Sequence, residues 1–194
     1  MKPLPFVWPY ALVFWGVFVW GFMREFGIVR RATRDRTATD AKSLQVIMFG
    51  MNIAFLGAFF LAWVPAVHFS AAYVVPAFWL GMAMIVGGGL LRRHCFRMLG
   101  ESFTGDVRAS SDQQVVTRGA YSILRHPSYT AGILMMGGVG IALGSWASAL
   151  LMIAGSIAVY SYRIAVEERV LVAAIGAPYQ EFMATRKRLI PFVY

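Results

Sequence analysis

Cysteine is almost absent from this sequence. Cys95 stands alone in 194 residues, which leaves no disulfide framework and no thiolate metal site within the chain. Histidine is scarce as well: His68, His94 and His126 are far apart and lack ligand spacing, which argues against a metal centre. There is no Walker-type loop and no GxGxxG following a strand, so a soluble nucleotide-binding fold is excluded. No internal repeat or low-complexity tract is present. Charge is thin, at 14% of residues, and unevenly placed. Of the 18 lysines and arginines, all but Lys2 fall within 24–42, 92–125 and 163–188, and the nine acids lie in the same segments. A nucleic-acid surface needs a basic patch on a soluble fold, and this distribution does not provide one.

What the chain does have is apolar length. Hydrophobic residues make up 59% of it, well above a soluble domain, and the composition predicts an all-α, polytopic membrane protein. Stretches of about 20 apolar residues can cross a hydrocarbon core of about 30 Å. Three stand out at 4–23, 44–67 and 71–91. A fourth stretch, 128–164, carries no charge but Arg163 and is long enough for two crossings. Gly144-Ser145-Trp146 is its expected turn, leaving two short arms of a helical hairpin. The first segment lacks the charged start and small-residue cleavage site of a signal peptide, so it reads as a membrane helix. Five crossings put every charged segment on one side. By the positive-inside rule that side is cytoplasmic, with the N-terminus outside and the C-terminus inside. The expected organisation is a single domain, 1–194, in which 1–91 supplies three transmembrane helices and 92–194 the catalytic part. That part comprises a cytoplasmic-face segment, the hairpin and a C-terminal helix. The basic flank 24–42 suits anionic membrane lipids.

The segment 92–126 is too long for a simple connector and is expected to fold against the membrane face, with a turn at Gly119. The stretch that follows, "SILRHPSYTAGILMMGG", sets Arg125 and His126 at the entry to an apolar helix. Pro127 suits the first helical position, where its missing N–H costs nothing. Free N–H groups at that end, with Arg125 beside them, make a corner that favours an anion. Tyr121 and Tyr129 add aromatic faces able to attract a cation. The plainer alternative is an arginine reaching for head groups, with His126 as a helix cap. In "RIAVEER", Arg163 and Glu167 are i,i+4 neighbours able to pair. Glu168 points about 100° away and needs another partner. Ionisable groups at membrane depth are expensive and mark function by default. Gly176 and Pro178 should end this helix and start a shorter one. Glycines 87–89, 132, 137, 138 and 140 are expected to allow close helix packing.

"GAYSILRHPSYTAG" resembles the signature of isoprenylcysteine carboxyl methyltransferases and related membrane methyltransferases, G-x-Y-x-x-x-R-H-P-x-Y-x-G. It aligns at Gly119, Tyr121, Arg125, His126, Pro127, Tyr129 and Gly132. "RIAVEERVLVAAIGAPYQEFMATRKRLIPFV" is similar to the second half of that pattern, and "LRRHCFRMLGESF" to a weaker preceding motif. The resemblance covers about the last 110 residues. It implies S-adenosyl-L-methionine as methyl donor, held at the cytoplasmic face. Cofactor contacts would come from Tyr121, Leu124, Arg125, His126, Pro127, Tyr129 and Glu168. The loop Gln113, Gln114, Val115, Val116 and Thr117 would wrap the cofactor, with glutamines where animal members tend to carry a histidine.

The implied reaction is carboxyl O-methylation of an isoprenylated cysteine or similar lipophilic acid entering from the bilayer. A carboxylate acceptor needs a cation rather than a base, which assigns Arg163 to hold it and Glu167 to orient Arg163. An amine acceptor, as in phospholipid N-methylation, would need a base. A sterol-reductase-like NADPH enzyme and a non-catalytic membrane subunit are the remaining alternatives.

Overall fold

The computed structural model describes residues 2–34, 41–100 and 115–189. Among these the regular structure is helical: α1 Tyr10–Arg34, α2 Ala41–Leu61, α3 Ala71–Leu99, α4 Pro127–Ala142, α5 Trp146–Ile175 and α6 Ala177–Thr185. Short 3-10 turns occupy Leu4–Phe6, Pro65–Val67 and Gly119–Ser122. Strand-like pairing among the described residues is confined to two isolated bridges, His68 with Ser145 and Leu124 with Lys187.

Most helix ends follow local chemistry. Pro127 opens α4 with His126 before it. Gly144, at φ +76°, turns the chain between α4 and α5, and the Ser145 side chain accepts from the Ser148 N–H to cap α5. Gly176, at φ +74°, closes α5, and Pro178 lies in the first turn of α6. Three helices differ in their bounds from the hydropathy reading. The first helix starts at Tyr10 rather than near Leu4 and runs past Met23 to Arg34. Prolines at 5 and 9 hold the first residues out of it, because proline cannot donate to a helical ladder. The second stops at Leu61, and Pro65 starts a separate turn. The third continues past Leu91 to Leu99 and ends at Gly100, φ +54°. Charge does not break a helix that has left the apolar layer, so hydropathy marks where a crossing ends and not where the helix ends.

The hairpin arms are unequal. At 16 residues α4 is about 24 Å long, whereas α5 has 30 residues and projects well beyond it. Ser43–Leu61, Ala71–Leu99 and Trp146–Ile175 are long and apolar enough to cross a membrane. Their outward faces carry Phe49, Ile53, Leu56, Phe60, Trp79, Leu80 and Leu150 exposed. That is the surface expected where lipid, not water, is the solvent.

Side-chain contacts close the five long helices into a ring. Phe18 and Phe22 of α1 meet Phe55 of α2 edge-on, and Tyr10 meets Phe78 of α3. Gly50, Gly57 and Gly155 bring α2 against α5, facing Val159, Leu151 and Ala54. Gly81 and Gly138 bring α3 and α4 into backbone contact: a Cβ on Gly81 would lie 2.5 Å from the Gly138 carbonyl oxygen. Gly140 does the same for α4 and α5 near their turn. Phe14, Phe78, Ile85, Met135, Val139 and Met152 fill the centre.

The two charge-free connections meet at one end of the ring. The Phe69 N–H donates to the Gly144 carbonyl at 2.9 Å, and Phe6 packs on Trp63 at 5.3 Å. At the opposite end, Arg93 of α3 donates to the Trp20 carbonyl at 2.8 Å and lies over the Trp20 ring, 3.7 Å from its centroid.

Candidate active site

The charged end is assembled on α3 and α4. A Cβ on Gly119, φ +61°, would lie 2.9 Å from His94 Nε2, so glycine lets the 119–122 turn sit directly on α3. Tyr121 and Leu124 are buried beneath it. Burial pushes the Tyr121 hydroxyl well above its ordinary titration range, keeping it a neutral donor. Arg92 of α3 donates to the Ser128 carbonyl in the first turn of α4.

The segment after α6 then clamps this corner. The Arg125 N–H donates to the Lys187 carbonyl at 2.8 Å and the His126 N–H to the Arg188 carbonyl at 3.1 Å. The Thr130 hydroxyl reaches the Leu189 carbonyl at 2.7 Å. Arg125 also donates through Nη1 to the Met183 carbonyl at 3.1 Å. A cleft of about 300 Å³ opens between Arg125 and residues 183–188.

Glu168 lies at the centre of the corner with only 4% of its surface exposed. Its Oε1 is 3.3 Å from Arg125 Nε and 3.3 Å from His126 Nε2. Its Oε2 accepts from Arg188 Nε at 3.1 Å and Nη2 at 2.8 Å. A carboxylate so deeply buried requires such partners, since an unpaired buried charge is strongly destabilising. Glu167, one residue earlier and about 100° around the helix, faces another neighbour: the Tyr129 hydroxyl donates to its Oε2 at 2.7 Å. Tyr129 is flanked by His126, ring centroids 5.7 Å apart, and by Tyr160, 4.9 Å apart. This aromatic file fits between α4 and α5 because Gly132 has no side chain: a Cβ there would lie 2.6 Å from the Tyr160 hydroxyl. Tyr179 of α6 is buried beside both glutamates, and burial first, then their charge, raises its hydroxyl. Arg163 is 4% exposed, lies against the Tyr129 hydroxyl and donates to Ser43 Oγ of α2.

Most of the residues singled out from the sequence therefore converge. Tyr121, Leu124, Arg125, His126, Pro127, Tyr129, Arg163, Glu167 and Glu168 all belong to this end of the α4–α5 pair. Some of their partners differ from expectation. Arg125 is turned onto Glu168 rather than left at an open helix end, because the buried carboxylate attracts it more strongly than partial helix charges can. His126 makes no side-chain cap bond; its ring serves Glu168. Val115 and Val116 are half-buried and Thr117 exposed on the approach to the Gly119 turn. Gln113 and Gln114 lie outside the described residues. Three members were not anticipated: Ser43, Tyr160 and Arg188. Arg188 was visible only as one of a run of basic residues, and nothing local marks Ser43 or Tyr160. Among the described residues, no three His, Cys, Asp or Glu side chains are grouped as metal ligands would be.

Residues 76–177 match the model of a family described as Phospholipid methyltransferase. Protein-S-isoprenylcysteine O-methyltransferase B of Arabidopsis thaliana is 31% identical over 115 residues, 58% of each chain. The Dictyostelium discoideum protein-S-isoprenylcysteine O-methyltransferase is 26% identical over 153 residues, 74% of this chain and 61% of that one. Among solved structures, the eukaryotic intramembrane Ras methyltransferase, isoprenylcysteine carboxyl methyltransferase, superposes with a TM-score of 0.61 at 26% identity. That match covers 73% of this chain and 52% of the other. The chain thus spans a little over half the length of the Arabidopsis relative and of the solved protein.

Proposed function

We propose, from the premise that the chain belongs to the phospholipid methyltransferase family, that it methylates the carboxylate of an isoprenylated cysteine or similar lipophilic acid with S-adenosyl-L-methionine. When bound, that cofactor supplies an electrophilic methyl group on a sulfonium centre. The observation that carries the reading is the buried ion cluster of Glu168 with Arg125, His126 and Arg188. Its donor set fits an amino-acid end: Glu168 complements an ammonium, and Arg125 complements a carboxylate. A zwitterion can replace their mutual contact with two ligand contacts and no change in net charge. The file of His126, Tyr129 and Tyr160 offers aromatic faces to a cation. Tyr121, Leu124 and Pro127 form the apolar wall of the corner, and 113–117 is the loop assigned to cover it.

Arg163 receives the acceptor's carboxylate, with Glu167 and Tyr129 beside it. A carboxylate is already a nucleophile, so positioning rather than proton removal is the protein's contribution. In this reading the ring crosses the bilayer five times as one domain. The charged end faces the cytoplasm, the N-terminus lies outside, anionic lipids contact the basic flanks, and the acceptor's tail enters from the membrane.

The test is calorimetric binding of S-adenosyl-L-methionine to detergent-purified protein beside Arg125→Ala, with transfer of labelled methyl to N-acetyl-S-farnesylcysteine. Removing one partner of a buried charge pair costs about 2–5 kcal/mol, so affinity should fall by at least about 30-fold. Equal affinity in the variant would refute the assignment of this corner. The family's description supports a second reading, N-methylation of a phospholipid amine. That acceptor must lose a proton, and Glu167, half-buried beside Tyr129, would be the base. Methyl transfer to phosphatidylethanolamine but not to the farnesylated acid would select it.

A further inference from the structure

We infer that Ser43 of α2 is a positioning residue for the methyl acceptor: it holds the Arg163 guanidinium at the angle that receives the acceptor's carboxylate. The inference rests on the role proposed for Arg163 above and deepens it. Ser43 lies outside 76–177, the stretch matched to the family, and 120 residues from Arg163 in sequence. Nevertheless it is 2% exposed, and its hydroxyl accepts from Arg163 Nη1. Arginine has a long, flexible side chain and five N–H donors in a planar fork. Anchoring one Nη fixes the plane of the fork and thereby the direction of the remaining donors. The next group along is the Tyr129 hydroxyl, itself committed to Glu167 at 2.7 Å. Arg163 is therefore set between a fixed hydroxyl on α2 and a fixed pair on α4 and α5, an arrangement that a charge serving only topology does not require.

The chemistry states where the effect must appear. Methyl transfer turns the carboxylate into a neutral ester, so the acceptor loses negative charge on the way to the transition state. An Arg163 contact is consequently stronger in the bound ground state than in the transition state, and loosening it raises KM without lowering kcat in proportion. A hydrogen bond involving a charged group is worth about 1.5–3 kcal/mol, so Ser43→Ala should raise KM for N-acetyl-S-farnesylcysteine by at least about tenfold. The Kd for S-adenosyl-L-methionine, measured on the same detergent-purified protein, should stay within about twofold and report intact folding. Ser43→Thr, which keeps the hydroxyl, should restore KM.

A Ser43→Ala enzyme with unchanged KM would overturn the inference, as would a loss shared equally by cofactor affinity and thermal stability. Arg163→Lys is run in parallel. If it raises acceptor KM while Ser43→Ala does not, only the role of Ser43 fails. If neither does, or if wild-type protein does not methylate this acid, the reading of Arg163 fails and takes the role of Ser43 with it.

Discussion

Glu168 brings one negative charge to a corner that already holds Arg125, His126 and Arg188, and all three side chains turn to it. Glu168→Gln keeps the shape and removes the charge. Breaking a buried pair typically costs about 3–5 kcal/mol. Arg188, with a third of its side chain exposed, can turn to solvent and recover part of that. The expected loss is therefore about 3 kcal/mol of stability, read as a lower midpoint in thermal unfolding in detergent, together with weaker cofactor binding. An unchanged midpoint would mean the cluster is not held together by this charge. Tyr129→Phe deletes the bond to Glu167 and the hydroxyl's contact with Arg163, and should cost about 1–2 kcal/mol. Its larger effect should be on turnover, through the freed Glu167, and a methyl-transfer assay checks it. At this scale the sequence was informative about which groups matter, because ionisable side chains at membrane depth are conspicuous. It was weak on who partners whom. Glu167 and Arg163 were natural i,i+4 partners on a helix considered alone. In the ring each also reaches a neighbouring helix, Glu167 through Tyr129 and Arg163 through Ser43.

Helix boundaries were legible wherever a residue is locally decisive: Pro127 at the start of α4, Gly144 at the turn, Gly176 before α6. They were not legible where hydropathy alone was the guide, since α1 and α3 continue as helices beyond their apolar stretches. Packing glycines show the same division. Gly88, Gly137, Gly138 and Gly140 do face other helices closely, whereas Gly87 has open space around it and Gly81, not singled out, meets the backbone of α4 directly. Only the facing helix decides which glycine in a run is needed. Gly81→Val should separate α3 from α4 and cost about 3 kcal/mol or more by overpacking. Gly87→Ala should be neutral or up to about 1 kcal/mol stabilising, because alanine is the better helix former where space allows. Comparing the two thermal midpoints tests this. Equal effects would mean that α3 does not pack on α4 through Gly81.

For the molecule as a whole, the ring places Lys2 at one end and Lys187 at the other, both exposed, while Cys95 is fully buried. A membrane-impermeant maleimide on intact cells should therefore label a Lys2→Cys variant and spare a Lys187→Cys variant until the membrane is opened. The reverse pattern would invert the orientation proposed here. Composition and local pattern alone establish that the chain is helical, that its surface suits lipid, that its charges gather toward one end, and that 119–132 carries a methyltransferase-like motif. These follow from composition, spacing and proline and glycine chemistry, all of which act over a few residues. It took the packed ring to show that Glu168 is the hub of the corner, that the 186–189 segment clamps it, and that Ser43 of α2 meets Arg163 of α5. Those contacts join residues 20 to 120 positions apart. Their pairing depends on which helices become neighbours when the ring closes, and no local propensity encodes that.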